Sequence, residues 1–135
     1  MRKPLLVLAT ASALVLAGTA AAGGWATVKL SSVPKGLAAG EPWVVDITVL
    51  QHGRTPVEGL KPQVRIRKVV AGRTTSGSSP LTFTARPMPG NGVYRARVVF
   101  PSAGLWRYEV YDGFVQYGGA RTHRFAPVKI APREG

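Results

Sequence analysis

The clearest structural signal in the chain is the segment VYRARVVFPSAGLWRYEVY at residues 93–111. Apolar residues and arginines alternate through its first half, which is the period of a β-strand with one buried face. The tetrapeptide Pro-Ser-Ala-Gly at residues 101–104 interrupts the pattern, because Pro and Gly favour tight turns. Aromatic and apolar residues then return at every second position. The segment therefore predicts two antiparallel strands joined by a short turn.

The same period of two residues continues on both sides of this hairpin. Residues 43–51, for example, place Val45, Ile47 and Val49 on one face of a strand. We expect strands at residues 25–33, 43–51, 63–69, 81–85, 93–100, 105–111 and 122–130. Short strands separated by regular turn signals predict an all-β fold, a seven-stranded immunoglobulin-like antiparallel β-sandwich. A barrel of the same strand count is the alternative, but the short connections favour the sandwich.

The first 22 residues have the three parts of an export signal. A positively charged start, a long apolar stretch and an Ala-Ala-Ala cleavage site follow one another before Gly23. We therefore expect a signal peptide at residues 1–22 and one domain at residues 23–135. The domain would be secreted or extracytoplasmic, either periplasmic or at the cell surface. The alternative is an uncleaved membrane anchor, although the apolar stretch is at the short limit for a membrane span.

The composition is strongly basic and contains no cysteine. There are 18 Lys and Arg against six Asp and Glu, which gives a formal net charge of +12. Without cysteine, a disulfide framework, a thiolate nucleophile and cysteine-bound zinc are excluded. An exported basic domain can meet an anionic surface, whereas nucleic acid is not an expected partner outside the cytoplasm. We expect a monomer with no integral membrane span once the signal is cleaved.

Three segments of the chain resemble a known group of bacterial domains. Residues 92–106 have the form GxYxAxxxFPxAGxW, residues 43–56 read WVVDITVLQHGRTP, and residues 122–127 read THRFAP. These segments are similar to the YtkA-like and FixH-like domains, which are immunoglobulin-like modules outside the cytoplasm. The resemblance implies a seven-stranded sandwich. It also implies a link, through some relatives, with copper handling or the assembly of respiratory oxidases. FixH-like proteins usually carry a membrane helix, so a cleaved signal would be a departure.

The residues offer little for catalysis, and we do not expect an enzyme. The acidic residues are Glu41, Asp46, Glu58, Glu109, Asp112 and Glu134. No two of them have a spacing that indicates a paired general acid and base. The glycine-rich segments lack the pattern of a phosphate-binding loop, and no serine stands in a nucleophile elbow.

Two histidines and a methionine form a candidate copper site. His52 follows the second predicted strand, His123 begins the last one, and Met88 lies in the loop before the fifth. In a sandwich of this connectivity the three positions lie at the same end. Imidazole and thioether are ligands that copper accepts. In the alternative interpretation His52 hydrogen-bonds within its own turn and Met88 covers the core.

The loop at residues 112–121 carries two aromatic residues, Phe114 and Tyr117, among glycines. Aromatic side chains exposed on a loop are typical of partner-binding surfaces. The alternative is that this loop folds back on its own sandwich.

These observations predict an exported, non-catalytic binding or accessory module of the bacterial cell envelope. Its expected partner is a cell-envelope protein met at the end that carries His52, Met88, Phe114, Tyr117 and His123. One alternative is a copper-binding accessory protein, with copper held by the two histidines. The other is a structural domain that positive charge holds to the cell wall.

Overall fold

The computed structural model describes residues 25–70, 73–74 and 79–133. The predicted signal peptide, residues 1–22, lies outside the described residues. The strands are β1 (Ala26–Leu30), β2 (Pro42–Gln51), β3 (Thr55–Pro56), β4 (Gln63–Val70), β5 (Arg73–Thr74), β6 (Leu81–Thr84), β7 (Arg86–Pro87), β8 (Val93–Val99), β9 (Gly104–Tyr111), β10 (Thr122–Arg124) and β11 (Val128–Ile130). One turn of 3₁₀ helix, Gln116–Gly118, lies between β9 and β10.

The strands form two antiparallel sheets, which confirms the predicted sandwich. Sheet I has the order β1-β2-β8-β7, and β3 pairs with the end of β2. Sheet II has the order β10-β9-β4-β5, in which β11 also pairs with β9 and β6 with β4. All seven predicted strands are present. The three further strands, β3, β5 and β7, have two residues each and extend the connections between them.

Alternation along each strand places one face of each sheet in the core. On β8 the inward residues are Tyr94, Ala96 and Val98, as predicted, and each is at most 1% exposed. The two sheets meet through aromatic rings, since Trp43 of sheet I contacts Tyr108 of sheet II edge to face, with ring centroids 5.4 Å apart. Such a pair contributes about 0.5–1.5 kcal/mol beyond the area that it buries. Alternate residues of β4 and β9 are also buried, among them Val64, Ile66, Tyr108 and Val110.

The last predicted strand, residues 122–130, is divided into two. β10 and β11 pair with opposite halves of β9, and residues 125–127 separate them. Pro127 lies in this gap because proline has no N–H for a strand ladder. Phe125 turns inward and stacks on Tyr108, with ring centroids 5.2 Å apart and planes 3° from parallel.

In the part of the chain that the structure describes, no helix is long and apolar enough to cross a membrane.

Candidate functional site

The connectivity places the predicted metal ligands at one end of the sandwich. At this end β2 finishes and β8 begins, so His52 and Met88 both belong to this end of sheet I. His123 lies opposite Val110, close to the end of β9 on sheet II. Each of the two imidazoles, however, has its own local neighbour.

His52 forms the turn that joins β2 to β3. Its φ angle is +52° and that of Gly53 is +72°. The N–H of Arg54 donates to the carbonyl of Gln51 at 3.0 Å. Two successive left-handed residues are typical of a type I′ hairpin turn, and histidine tolerates this conformation better than most residues. The imidazole packs on Trp25 with ring centroids 5.0 Å apart. The geometry therefore supports a role of His52 in its own turn.

His123 is held by a buried carboxylate. Its Nε2 lies 2.8 Å from Oδ2 of Asp112, which is 0% exposed. The other oxygen, Oδ1, accepts the backbone N–H of Phe114 at 2.9 Å and that of Arg121 at 3.1 Å. One carboxylate therefore closes the loop at residues 112–121 and orients the imidazole. In the sequence Asp112 stands as an isolated acid, although Asp-Gly after a strand is a signal for such a turn.

The copper site suggested by the sequence stays a prediction, because the described residues neither assemble nor exclude it. Over residues 25–70, 73–74 and 79–133, no three His, Cys, Asp or Glu side chains form a group that could hold a metal ion. Met88 is half-buried, and its backbone N–H donates to the carbonyl of Val93 at 2.9 Å. The described geometry thus gives all three predicted ligands a structural environment of their own.

The two loop aromatics do not form an exposed pair. Phe114 is only 2% exposed and belongs to the hydrophobic core, so the loop folds back on the sandwich at this residue. The expectation that Phe114 faces a partner is therefore corrected. Asp112 causes this, since its carboxylate binds the N–H of Phe114 and draws the loop inward. Tyr117 lies in the 3₁₀ turn, and its side chain is outside the described part of the structure.

Every acid among the described residues already has a partner within the fold. The pairs are Glu41 with the N–H of Ala38, Asp46 with Arg95, Glu58 with the N–H of Gly92, Glu109 with Arg124, and Asp112 with His123. All Lys and Arg of the chain except Arg2 and Lys3 lie in the same described ranges. The surface therefore carries a large excess of positive charge.

This charge covers the outer faces of both sheets. Cationic side chains occupy the strand positions that alternate with core positions. They are Lys29, Arg86, Arg95 and Arg97 on sheet I, and Arg65, Arg67, Arg107, Arg124 and Lys129 on sheet II. The sequence shows that these arginines alternate with core residues. It does not show which of them become neighbours across strands.

A groove between the outer face of sheet I and strand β6 of sheet II gathers three of these arginines. It has a volume of about 550 Å³. We call it the arginine groove, and its lining residues are Val44, Phe83, Thr84, Arg86, Arg95 and Arg97. Arg95 reaches across to Asp46, with Nε 2.7 Å from Oδ1 and a terminal nitrogen 3.2 Å from Oδ2. The hydrogen bond from Arg95 holds the pKa of Asp46 below its usual range, so this carboxylate stays ionised.

Comparison with known proteins agrees with the resemblance seen in the sequence. A model of the YtkA-like family matches residues 21–111, about two thirds of the chain, which includes the described strands β1 to β9. The FixH-like part of the resemblance stays a prediction. No curated protein matches the chain. The match covers both central strand pairs of the sandwich, and the chain belongs to the YtkA-like family.

Proposed function

We propose that this protein is an exported, non-catalytic binding module of the bacterial cell envelope, and that its partner is an anionic component of that envelope. The observation that carries the proposal is the distribution of charge. The described acids are all paired with donors of the protein itself, whereas the arginines and lysines outnumber them on two outward sheet faces. An anionic partner supplies the charge that the protein itself lacks.

Family membership supports the location, since YtkA-like membership suggests an accessory domain outside the cytoplasm. The signal-like order of residues 1–22 supports the same location. We expect the processed chain to begin at Gly23. Expression in a bacterial host followed by N-terminal sequencing of the extracytoplasmic protein tests this. An intact Met1 terminus on membrane-bound protein would instead indicate a retained anchor.

Electrostatic attraction of this kind has a clear dependence on salt. A basic residue near an anionic lipid surface contributes about 1 kcal/mol, and this contribution is screened within about 10 Å at 0.1 M salt. Several arginines acting together therefore give useful affinity at low salt and lose most of it at high salt. A partner held by apolar contacts would show the opposite behaviour, because salt strengthens apolar burial.

The test is sedimentation of the processed chain with bacterial envelope fragments and with anionic phosphatidylglycerol vesicles. We expect binding at about 0.05 M salt and release at about 0.5 M salt, because exposed charges are screened over that range. Vesicles of neutral phosphatidylcholine serve as the matched control. Binding that survives high salt, or equal binding to neutral vesicles, would contradict the proposal.

Copper binding is not part of this proposal. His52 is used by its turn and His123 by Asp112, so the structure offers no observation that favours a metal centre at this end. The non-catalytic character remains a proposal as well. It is supported by the engagement of each described carboxylate with a donor of the fold.

A further inference from the structure

We propose that the arginine groove binds the phosphoryl group of a phosphate monoester whose organic part is apolar. This inference rests on the proposed function and deepens it, because it names the site and the chemical class of the anion. It depends on the strand register, the charge balance and the apolar wall of the groove.

The register brings the arginines together on one face. Arg86 of β7 lies directly opposite Arg95 of β8, and Arg97 follows two residues later on the same face. Opposed residues on antiparallel strands have Cβ atoms about 4.5–5.5 Å apart. Like charges in this position destabilise a sheet. Asp46 pairs with Arg95 and offsets part of this repulsion, and a bound anion would relieve the remainder.

The groove keeps a net charge of +2 after its internal pairing. Asp46 lies opposite Arg95 on β2 and neutralises that arginine alone. Arg86 and Arg97 are exposed. A phosphate monoester carries about −1.5 to −2 charge at pH 7, which matches this excess. A carboxylate carries a single negative charge and would leave part of the groove's net charge of +2 unbalanced.

Arginine is also the side chain whose geometry suits this ligand. Its planar guanidinium presents parallel N–H donors that match the oxygens of a phosphoryl group in a bidentate way. The bidentate pair of Arg95 with Asp46 shows that a guanidinium in this groove adopts such a geometry. The hydroxyl of Thr84 lines the same groove and can donate a further hydrogen bond.

The groove also has an apolar wall, which selects an organic phosphate over the inorganic ion. Val44 is 50% exposed on the outward face of β2, and Phe83 is only partly buried. Both side chains line the groove beside the arginines. Ligand sites typically have volumes of about 300–1,000 Å³ and combine apolar walls with a few charged groups. An apolar substituent on the phosphate would cover these two side chains.

The experiment is calorimetric titration of the processed chain with phenyl phosphate, with benzoate and inorganic phosphate in parallel. We expect phenyl phosphate to bind at least about tenfold more tightly than either comparison anion. The double variant Arg86→Ala/Arg97→Ala should lose at least about tenfold in affinity for phenyl phosphate. The matched control is Arg54→Ala/Arg121→Ala, which removes the same charge from exposed residues outside the groove and should stay within about twofold.

A gain-of-binding variant completes the test. Asp46→Asn frees Arg95 and raises the charge of the groove, so phenyl phosphate should bind more tightly. Glu41→Gln makes the same change of net charge elsewhere and should have no comparable effect. Equal losses in the groove variant and its control, or no gain in Asp46→Asn, would overturn the proposal.

Two further comparisons separate the possible failures and the source of the ligand. If the protein binds envelope fragments in a salt-sensitive way but does not bind phenyl phosphate, the proposed phosphate site is overturned and the proposed function stands. If phenyl phosphate binds at the groove but the protein does not bind envelope fragments, the proposed function is overturned and the phosphate site stands. Vesicles of phosphatidic acid in phosphatidylcholine identify a lipid headgroup as the source if they compete with phenyl phosphate. A soluble ester is identified if they do not, and both results support the phosphoryl chemistry.

Discussion

Gly92 directly precedes β8, at a position where the fold leaves no room for a side chain. Its φ angle is +69°, and a Cβ atom there would lie 2.9 Å from the backbone nitrogen of Val57 and 3.0 Å from the carbonyl oxygen of Val49. Its own N–H donates to Oε2 of Glu58 at 2.7 Å. Both close contacts would be with backbone atoms, so the neighbours cannot give way by changing a rotamer.

Gly92→Ala should lower the free energy of unfolding by about 2 kcal/mol or more, because it combines a strained φ angle with close backbone contacts. Gly59→Ala is the matched control. Gly59 also has a positive φ angle, +76°, but a Cβ atom at this position would meet none of the described atoms within 4 Å. Gly59→Ala should therefore lower the free energy of unfolding by only about 1 kcal/mol. Urea denaturation of both variants measures the difference, and equal losses would contradict the role of the contacts.

Asp112 provides a second prediction at the scale of one residue. Asp112→Ala should destabilise the protein by about 3 kcal/mol, because it leaves the buried N–H of Phe114 and the partly buried N–H of Arg121 without their acceptor. Asp112→Asn keeps the oxygen that accepts both bonds and should lose clearly less. Thermal denaturation of the two variants compares them. Equal stability of the alanine and asparagine variants would show that the loop does not depend on this carboxyl group.

Among the structural elements, β8 contributes side chains with distinct roles on its inward and outward faces. Its inward face supplies Tyr94, whose hydroxyl donates to the carbonyl of Val57 and accepts the N–H of Leu60 at 3.1 Å. These two bonds fasten the connection between β3 and β4 to the sheet. Burial raises the pKa of the Tyr94 hydroxyl, so it keeps its proton and remains a donor.

Tyr94→Phe should therefore lower the free energy of unfolding by about 1–3 kcal/mol, since it leaves a partly buried carbonyl and a buried N–H unpaired. The ring and its packing are preserved in this variant, so the loss reports the hydroxyl alone. Chemical denaturation measures the change. Amide hydrogen exchange at Leu60 should become faster, and unchanged exchange there would argue against the bond.

The outward face of β8 predicts a dependence of stability on pH. The pKa of Asp46 is lowered in the folded protein, chiefly by its hydrogen bond with Arg95. Its contribution to stability is therefore fully present above the unfolded pKa, about 3.9, and is lost as the pH falls through the lower folded value. Wild type should be more stable than Asp46→Asn at pH 6, and the difference should shrink steadily as the pH falls below the unfolded pKa of Asp46. A difference that persists in acid would contradict this assignment.

At the scale of the whole molecule, the sequence predicts the two sheets better than it predicts the surface. Alternation identifies strands because burial acts on every second residue, and the core on β8 and β9 follows from it. The short strand β7 follows Ala85, where the chain crosses from sheet II to sheet I. The opposition of Arg86 and Arg95 depends on the register of that crossing, which local patterns do not determine. The arginine groove was therefore not predictable from the sequence.

The expected exposure of Phe114 was wrong for a different physical reason. Glycines around Phe114 indicate an exposed loop, but the buried carboxylate of Asp112 makes a compact one. A single acid was decisive because two backbone N–H groups and an imidazole converge on it. Such convergence is a tertiary property, so composition and spacing do not reveal it.

The break between β10 and β11 affects how the molecule behaves among many copies of itself. An uninterrupted outer strand would offer a continuous row of free N–H and C=O groups, onto which another chain could add a strand. Here the border of sheet II consists of two strands of three residues each, separated by residues 125–127. Pro127 removes one donor from that row, and basic side chains stand on either side of it. The interruption thus protects a crowded, concentrated protein from edge-to-edge aggregation.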